Sequence, residues 1–179
     1  MIRRLLAAAV CLALIATPTA LAAGHKKKPK GFTPKSIAGT WSGNWNNQTF
    51  GSTGTVTLST KLLHKGKAFE FHVGLGGNAL GCSPQPPERT PPISKGRGQN
   101  HWNSKGFTLH LTSPAYGEFT VKYVHKTHKL TGSGGHPPCA PGVSWALDGK
   151  LTHAAFTGNV SIDLGNGQKA SSTLTANRK

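Results

Sequence analysis

From Ile37 onward, apolar and polar side chains alternate with a period of two in several separate stretches of the chain. Clear examples are AFEFHVGL (residues 68–75), FTLHL (107–111), FTVKYV (119–124) and NVSIDL (159–164). Successive side chains of a β-strand point to opposite faces, so this alternation predicts strands that each bury one face. No long stretch has the apolar period of an α-helix. The pattern therefore predicts an all-β, antiparallel domain.

The alternation places the larger apolar side chains on the inner faces of the predicted strands and Glu70 and His72 on the solvent face. The predicted inward positions are Val56, Leu58, Phe69, Phe71, Val73, Leu75, Phe107, Leu109, Leu111, Phe119, Val121, Tyr123, Val160, Ile162 and Leu164. An internal cavity then depends on whether the five aromatic members of this set fill the interior.

Glycine-containing stretches such as SPAYGE, HKTHKLTGSGG, LDGK and DLGNGQ separate the strands and predict turns between consecutive hairpins. Counting the hairpins gives about eight strands. We predict a single antiparallel up-and-down β-barrel, because closure removes exposed strand edges. The alternative is a two-sheet β-sandwich.

The N-terminus has the features of an export signal. Arg3 and Arg4 precede an apolar run from Leu5 to Ala16, and small residues follow at the predicted cleavage site. We therefore predict a signal peptide over residues 1–22 and a secreted or periplasmic location. The run is shorter than the roughly 20 residues that span a bilayer, so we expect no transmembrane segment in the mature chain.

Composition divides the mature chain into two parts. Residues 23–36 are rich in lysine, proline and glycine and predict a flexible basic leader, and residues 37–179 form the predicted single all-β domain. The domain keeps two cysteines, Cys82 and Cys139, both in proline-rich loops. In an exported protein these predict one disulfide. The alternative is a zinc site that adds His136, although the sequence offers no fourth ligand at a usable spacing.

The charge is strongly basic, with 21 Lys and Arg against 5 Asp and Glu and a formal net charge of +16. The densest cluster lies in the leader and consists of Lys26, Lys27, Lys28 and Lys30. For an exported protein this charge favours an anionic envelope polymer or lipid surface as partner, and not nucleic acid.

Tryptophans are the strongest candidates for contact with a ligand. Trp41 and Trp45 would share one face of a strand, with Gly43 between them, and would act either as the floor of the core or as a stacking platform. Trp102, in the polar stretch QNHWNS, is predicted to be a surface aromatic residue.

The segment Gly39, Thr40 and Trp41 resembles the first-strand Gly-x-Trp pattern of the calycin barrels, the lipocalins and avidins, in which the tryptophan closes the barrel floor. Asn47 follows in an order similar to that of the avidins. The resemblance implies a barrel. Other tryptophans and the acidic residue of a biotin site have no counterpart here, and neither does the lipocalin signature, so neither site is expected. The candidate ligand-binding residues are Trp41, Trp45, Asn47 and Trp102.

Catalytic and cofactor motifs are scarce in the chain. His125 and His128 have the wrong spacing for a metal site on a strand, and no nucleophile elbow or phosphate-binding loop occurs. We expect no cofactor and no metal. The sequence thus predicts a secreted, non-catalytic barrel that binds an apolar small molecule or an anionic envelope surface. The alternatives are a structural or adhesive envelope protein without a pocket and a small extracellular hydrolase that uses Glu70 and His72.

Overall fold

A computed structural model of the protein describes residues 31–83 and 86–179. These residues form twelve β-strands and three short 3-10 segments, and they contain no α-helix. The strands are β1 (Gly39–Asn47), β2 (Thr53–Leu63), β3 (Ala68–Leu75), β4 (Glu88–Arg89), β5 (Ile93–Lys95), β6 (His101–Asn103), β7 (Gly106–Ser113), β8 (Gly117–Val124), β9 (Lys129–Gly135), β10 (Ser144–Leu151), β11 (Ala155–Asp163) and β12 (Lys169–Arg178). The predicted all-β class is confirmed. Within the described ranges, no helix has the length and apolar character that a membrane crossing needs.

The strands form one sheet that closes into a barrel. β1 pairs with β2 on one side and with β12, the last strand, on the other. From β7 to β12 each strand pairs with its neighbour in sequence, and β3 pairs with both β2 and β5. β4 pairs with a later part of β3, at His72 and Val73, on the same side of β3 as β5. The predicted barrel is confirmed, and the sandwich alternative is wrong.

The predicted strand count and the purely antiparallel pairing are wrong. Eleven strands close the ring, and β5 and β6 pair in parallel. β4, β5 and β6 are only two or three residues long and lie in a segment rich in proline and glycine, so they leave no alternation in the sequence. Gly96 and Gly98, with φ angles of 126° and 125°, allow the short loop that returns β6 alongside β5.

The stretch HKTHKLTGSGG was predicted to be a turn throughout, but its second half forms β9. Only the residues before Lys129 turn the chain. Glycines give little strand signal because they have no side chain to pack. The pairing of β9 with β8 and β10 on both sides therefore decides its conformation.

Inward-facing residues follow the predicted alternation. Every position predicted to face inward either belongs to a hydrophobic cluster or lines the space inside the barrel. The turns after β1, β7, β9 and β11 lie at one end of the barrel, and those after β2, β6, β8 and β10 lie at the other, as consecutive antiparallel pairing requires. We call the first end the mouth and the second the floor.

Aromatic side chains seal the floor. Phe32 is 1% exposed, and its ring centroid lies 6.3 Å or less from the rings of Phe69, Trp102, Phe107 and Tyr123. Its backbone N–H donates to the carbonyl of Ser104 at 2.8 Å, and a 3-10 segment, Pro34–Ile37, follows. The folded unit therefore begins before Ile37. The predicted flexible leader is wrong for residues 31–36, while residues 1–22 and 23–30 lie outside the described residues.

The surface position predicted for Trp102 is also wrong. This residue is 7% exposed, and its indole N–H donates to the carbonyl of Lys67 at 3.1 Å. Its neighbours in sequence are polar, but Trp102 lies opposite Phe107 in the short hairpin of β6 and β7, which points its ring into the floor. Trp41 is 0% exposed and belongs to the same cluster.

Candidate functional site

The barrel contains a cavity of about 580 Å³ between the aromatic floor and the mouth. Inward-facing side chains of β1 to β3 and β7 to β12 form its wall. The five aromatic residues predicted to face inward leave part of the interior unfilled. Phe69, Phe107 and Tyr123 belong to the floor cluster, and Phe71 and Phe119 stand in the wall. The volume lies within the range of about 300–1,000 Å³ that is usual for small-molecule sites.

Many of the wall residues remain half-buried although they point inward. A large apolar side chain inside a packed core normally loses nearly all of its exposure. The inward-facing apolar residues that keep intermediate exposure and line the cavity are Leu58, Val73, Leu75, Leu111, Phe119, Val121, Trp145, Leu147, Val160, Leu164 and Leu174. They form an apolar surface, and none of the described side chains packs against its cavity side.

Glycines at inward positions of β9 help to create this space. Val121 and Leu147 both pair with Gly132, so the wall has no side chain between them. Gly134 has the same position between Phe119 and Trp145, whose ring centroids lie 5.7 Å apart. A Cβ at Gly134 would lie 2.6 Å from atoms of both side chains, so only glycine fits under the two rings.

Trp45 and Asn47 lie in the wall at the mouth. The Trp45 indole N–H donates to the carbonyl of Gly76 at 2.8 Å, which fixes the ring against the cavity. The Asn47 side-chain oxygen accepts hydrogen bonds from the backbone N–H groups of Thr49 and Phe50, each at 2.9 Å. This turn holds Phe50, 62% exposed, at the rim of the cavity.

The predicted disulfide is confirmed and lies at the same end. Cys82 and Cys139 are bonded, with Cα atoms 5.6 Å apart across a sequence separation of 57. The bond connects the loop after β3 with the loop between β9 and β10, and both loops contribute apolar side chains, among them Leu80 and Ala140, to the mouth. It also occupies the two thiols that the zinc alternative required. Among the described residues, no group of three or more His, Cys, Asp or Glu could hold a metal ion.

The cavity has a polar site near the mouth. Glu88 pairs with Val73, which faces inward, so the glutamate faces inward as well. The Ser113 hydroxyl donates to Glu88 Oε1 at 2.8 Å. Tyr116 lines the cavity nearby, and its pKa is raised, first by burial and then by the Glu88 carboxylate.

Glu70 and His72, the residues of the hydrolase alternative, lie on the outer face of β3 and do not line the cavity. The predicted solvent exposure of Glu70 is wrong, because its side chain is only 6% exposed. One carboxylate oxygen lies 3.1 Å from His72 Nε2 and 3.5 Å from Arg89 Nε. The short strand β4, which the alternation did not reveal, brings Arg89 to this position.

The predicted site residues therefore separate into three places. Trp45 and Asn47 line the cavity, whereas Trp41 and Trp102 belong to the floor. The basic cluster Lys26, Lys27, Lys28 and Lys30 lies outside the described residues, and its attraction to anionic surfaces stays a prediction. Sequence reasoning missed Glu88, Tyr116 and Phe50. Glu88 occurs in a proline-rich stretch and the other two occur in turns, where no periodicity marks a side chain as inward.

No protein-family model and no curated protein matches this chain. A solved structure from Nostoc punctiforme PCC 73102, a DUF3598-family protein with unknown function, is similar to it, with a TM-score of 0.54 and 10% sequence identity. The similarity covers 84% of this chain and 50% of that one, so the chain spans half the length of that protein. At this identity the likeness concerns the fold alone, and it is compatible with the barrel that the calycin resemblance implied.

Proposed function

We propose that the protein is an exported, non-catalytic binding protein that holds one small apolar molecule inside its barrel. The observation that carries the proposal is the cavity of about 580 Å³ with its half-buried apolar wall. A ligand in this space would remove from water the surface that the wall residues leave exposed, and this burial is the main favourable contribution to binding.

The expected affinity follows from the apolar area that a chain-like ligand would bury. Each buried methylene contributes about 0.8 kcal/mol, so a chain of about ten methylenes contributes about 8 kcal/mol before the cost of association. That cost consumes several kcal/mol. A dissociation constant of 1 μM alone requires about 8.2 kcal/mol, so we expect dissociation constants well above 1 μM for simple alkyl ligands.

The cavity favours a binding role over the two other functions that the sequence left open. A structural or adhesive protein without a pocket would pack its interior, and here Leu147, Val121 and their neighbours face open space. A hydrolase would place acid and base groups against its substrate. Glu70 and His72 face away from the cavity, and none of the described lining residues is a histidine.

A titration with the neutral, apolar fluorophore N-phenyl-1-naphthylamine tests the proposal. We expect saturable uptake of one probe per chain, with enhanced and blue-shifted emission. Val121→Trp should weaken uptake about tenfold, because the larger ring excludes contact equivalent to about two methylenes. Lys122→Trp adds the same ring to the exposed outer face of β8 and should leave uptake unchanged.

Circular dichroism establishes that both variants retain the sheet structure. Linear, non-saturable emission from the native protein would refute the binding function. Equal weakening by the two tryptophan variants would also contradict it, because the probe would then not occupy the barrel interior.

A further inference from the structure

The cavity is nearly free of charge although the protein is strongly basic. The chain has 21 Lys and Arg and 9 His residues, and none of the described cavity-lining residues is one of them. Among those residues, Glu88 is the one charged side chain. The chain has only 5 acidic residues, and one of them lies in a cavity that none of the described basic residues lines.

Ser113 holds the Glu88 carboxylate in position. The Ser113 oxygen accepts hydrogen bonds from the backbone N–H groups of Ala115 at 3.1 Å and Tyr116 at 2.8 Å. Its single proton is therefore directed to Glu88 Oε1. The second carboxylate oxygen of Glu88 makes no hydrogen bond to the described residues, so it can accept one from a ligand.

A second polar group lies beside this acceptor. Tyr116 lines the cavity and packs against the mouth cluster of Trp45, Val56 and Ala79. A phenol is protonated at neutral pH, and burial, followed by the Glu88 carboxylate, raises the pKa of this one further. The polar site therefore consists of a fixed anionic acceptor and a neutral hydroxyl, next to a long apolar wall.

We infer, on the basis of the proposed function, that the ligand is an amphiphile whose polar end donates hydrogen bonds, as an alcohol or amine does, and that fatty acids are disfavoured. A donor head group would bond to the unused Glu88 oxygen while its alkyl chain lies along the wall. A carboxylate head group at the same place would meet a like charge in an apolar environment, with no compensating cation among the described lining residues.

Displacement of N-phenyl-1-naphthylamine by three ligands of equal chain length tests this inference. The ligands are dodecylamine and dodecanoate, each below its micelle concentration, and dodecanol below its solubility limit, all at physiological ionic strength. We expect the amine and the alcohol to displace the probe at concentrations roughly tenfold lower than dodecanoate, as the loss of a hydrogen bond to a charged group implies.

Glu88→Gln keeps the shape of the side chain and an oxygen that can accept from Ser113, but it removes the charge. We expect this substitution to reduce, roughly tenfold, the ratio between the concentrations at which dodecanoate and dodecylamine displace the probe. Glu118→Gln is the matched control, because it changes the net charge equally at an exposed position outside the cavity. It should leave the ratio of the displacing concentrations unchanged.

The possible outcomes separate the two proposals. If all three ligands displace the probe equally, or if dodecanoate displaces it best, the head-group inference is overturned and the binding function stands. If Glu88→Gln and Glu118→Gln behave alike, Glu88 does not select the head group. If the native protein does not take up the probe, the binding function fails and the inference fails with it.

Discussion

Tryptophan side chains make different contacts at the two ends of the barrel. Trp45 at the mouth and Trp102 in the floor each bury a large ring and donate the indole N–H to a backbone carbonyl. The Trp41 indole N–H makes no hydrogen bond to the described residues, and the Arg178 guanidinium lies 5.5 Å from the ring centroid. Trp41 therefore stabilises the fold through burial of its ring. Trp45 also fixes the position of the neighbouring backbone segment at Gly76.

Tyr116 links the polar site to a pH dependence. Burial, and then the Glu88 carboxylate, raise the pKa of the phenol above its ordinary value of 10.0. The unfolded chain therefore loses this proton at a lower pH than the folded chain does. The contribution of Tyr116 to the free energy of unfolding is complete below pH 10 and declines as the pH rises above 10.

We predict that Glu88→Gln lowers the pKa of Tyr116 while burial still keeps it above 10.0. The chain has two tyrosines, so a Tyr123→Phe background leaves Tyr116 as the single phenol that an ultraviolet absorbance titration detects. The same titration with Glu118→Gln in that background should show no change. An identical midpoint with and without the Glu88 charge would place the carboxylate too far from the phenol to affect it.

At the scale of elements, the segment before β1 belongs to the core. Phe32 is surrounded by the aromatic rings of the floor and is 1% exposed. We predict that Phe32→Ala lowers the free energy of unfolding by about 3–5 kcal/mol, the usual cost of removing a buried phenylalanine ring. Urea unfolding measures this change.

Phe50→Ala is the matched control, because it removes the same atoms from a residue that is 62% exposed at the mouth. It should change the free energy of unfolding by less than about 0.5 kcal/mol. Similar losses for the two variants would mean that the segment around Phe32 does not seal the floor.

The sequence was sufficient to predict β2, β3, β7, β8 and β11 and their inner faces, because alternation is a local pattern, and it predicted the disulfide because the predicted mature chain keeps two cysteines. Alternation in AFEFHVGL or FTLHL assigns every inward residue correctly. The strands it missed carry no such pattern. β4 to β6 are too short to alternate, and β9 has glycines at the inward positions 132 and 134.

The candidate site was harder to predict for the same reason. Trp45 and Asn47 were identified from their place in the first strand, and both line the cavity. Glu88 enters the cavity because a two-residue strand pairs with β3, and Tyr116 enters it from a turn. Both positions depend on contacts between segments distant in sequence. The position of Phe32 in the floor also depends on a contact between distant segments, the hydrogen bond from its backbone N–H to the carbonyl of Ser104.

At the scale of the whole molecule, the number of strands explains the cavity. A barrel of about eight strands has an interior just wide enough for its own side chains or for one small ligand. Barrel diameter grows with strand number, and eleven strands close this one. The aromatic residues of the floor fill the closed end of this wider interior, and the remaining space forms the cavity near the mouth.

The central claim is that the apolar interior of this barrel binds a ligand, and methyl chemical shifts measured by NMR during a titration with dodecanol test it most directly. We predict saturable shifts of cavity methyl groups, such as those of Leu111, Val121, Leu147 and Val160. Leu63 and Val124, whose side chains alternate with inward-facing neighbours and lie outside the cavity lining, should not shift. Shifts that fail to saturate, or that are as large at Leu63 and Val124 as at Val121 and Leu147, would contradict the account.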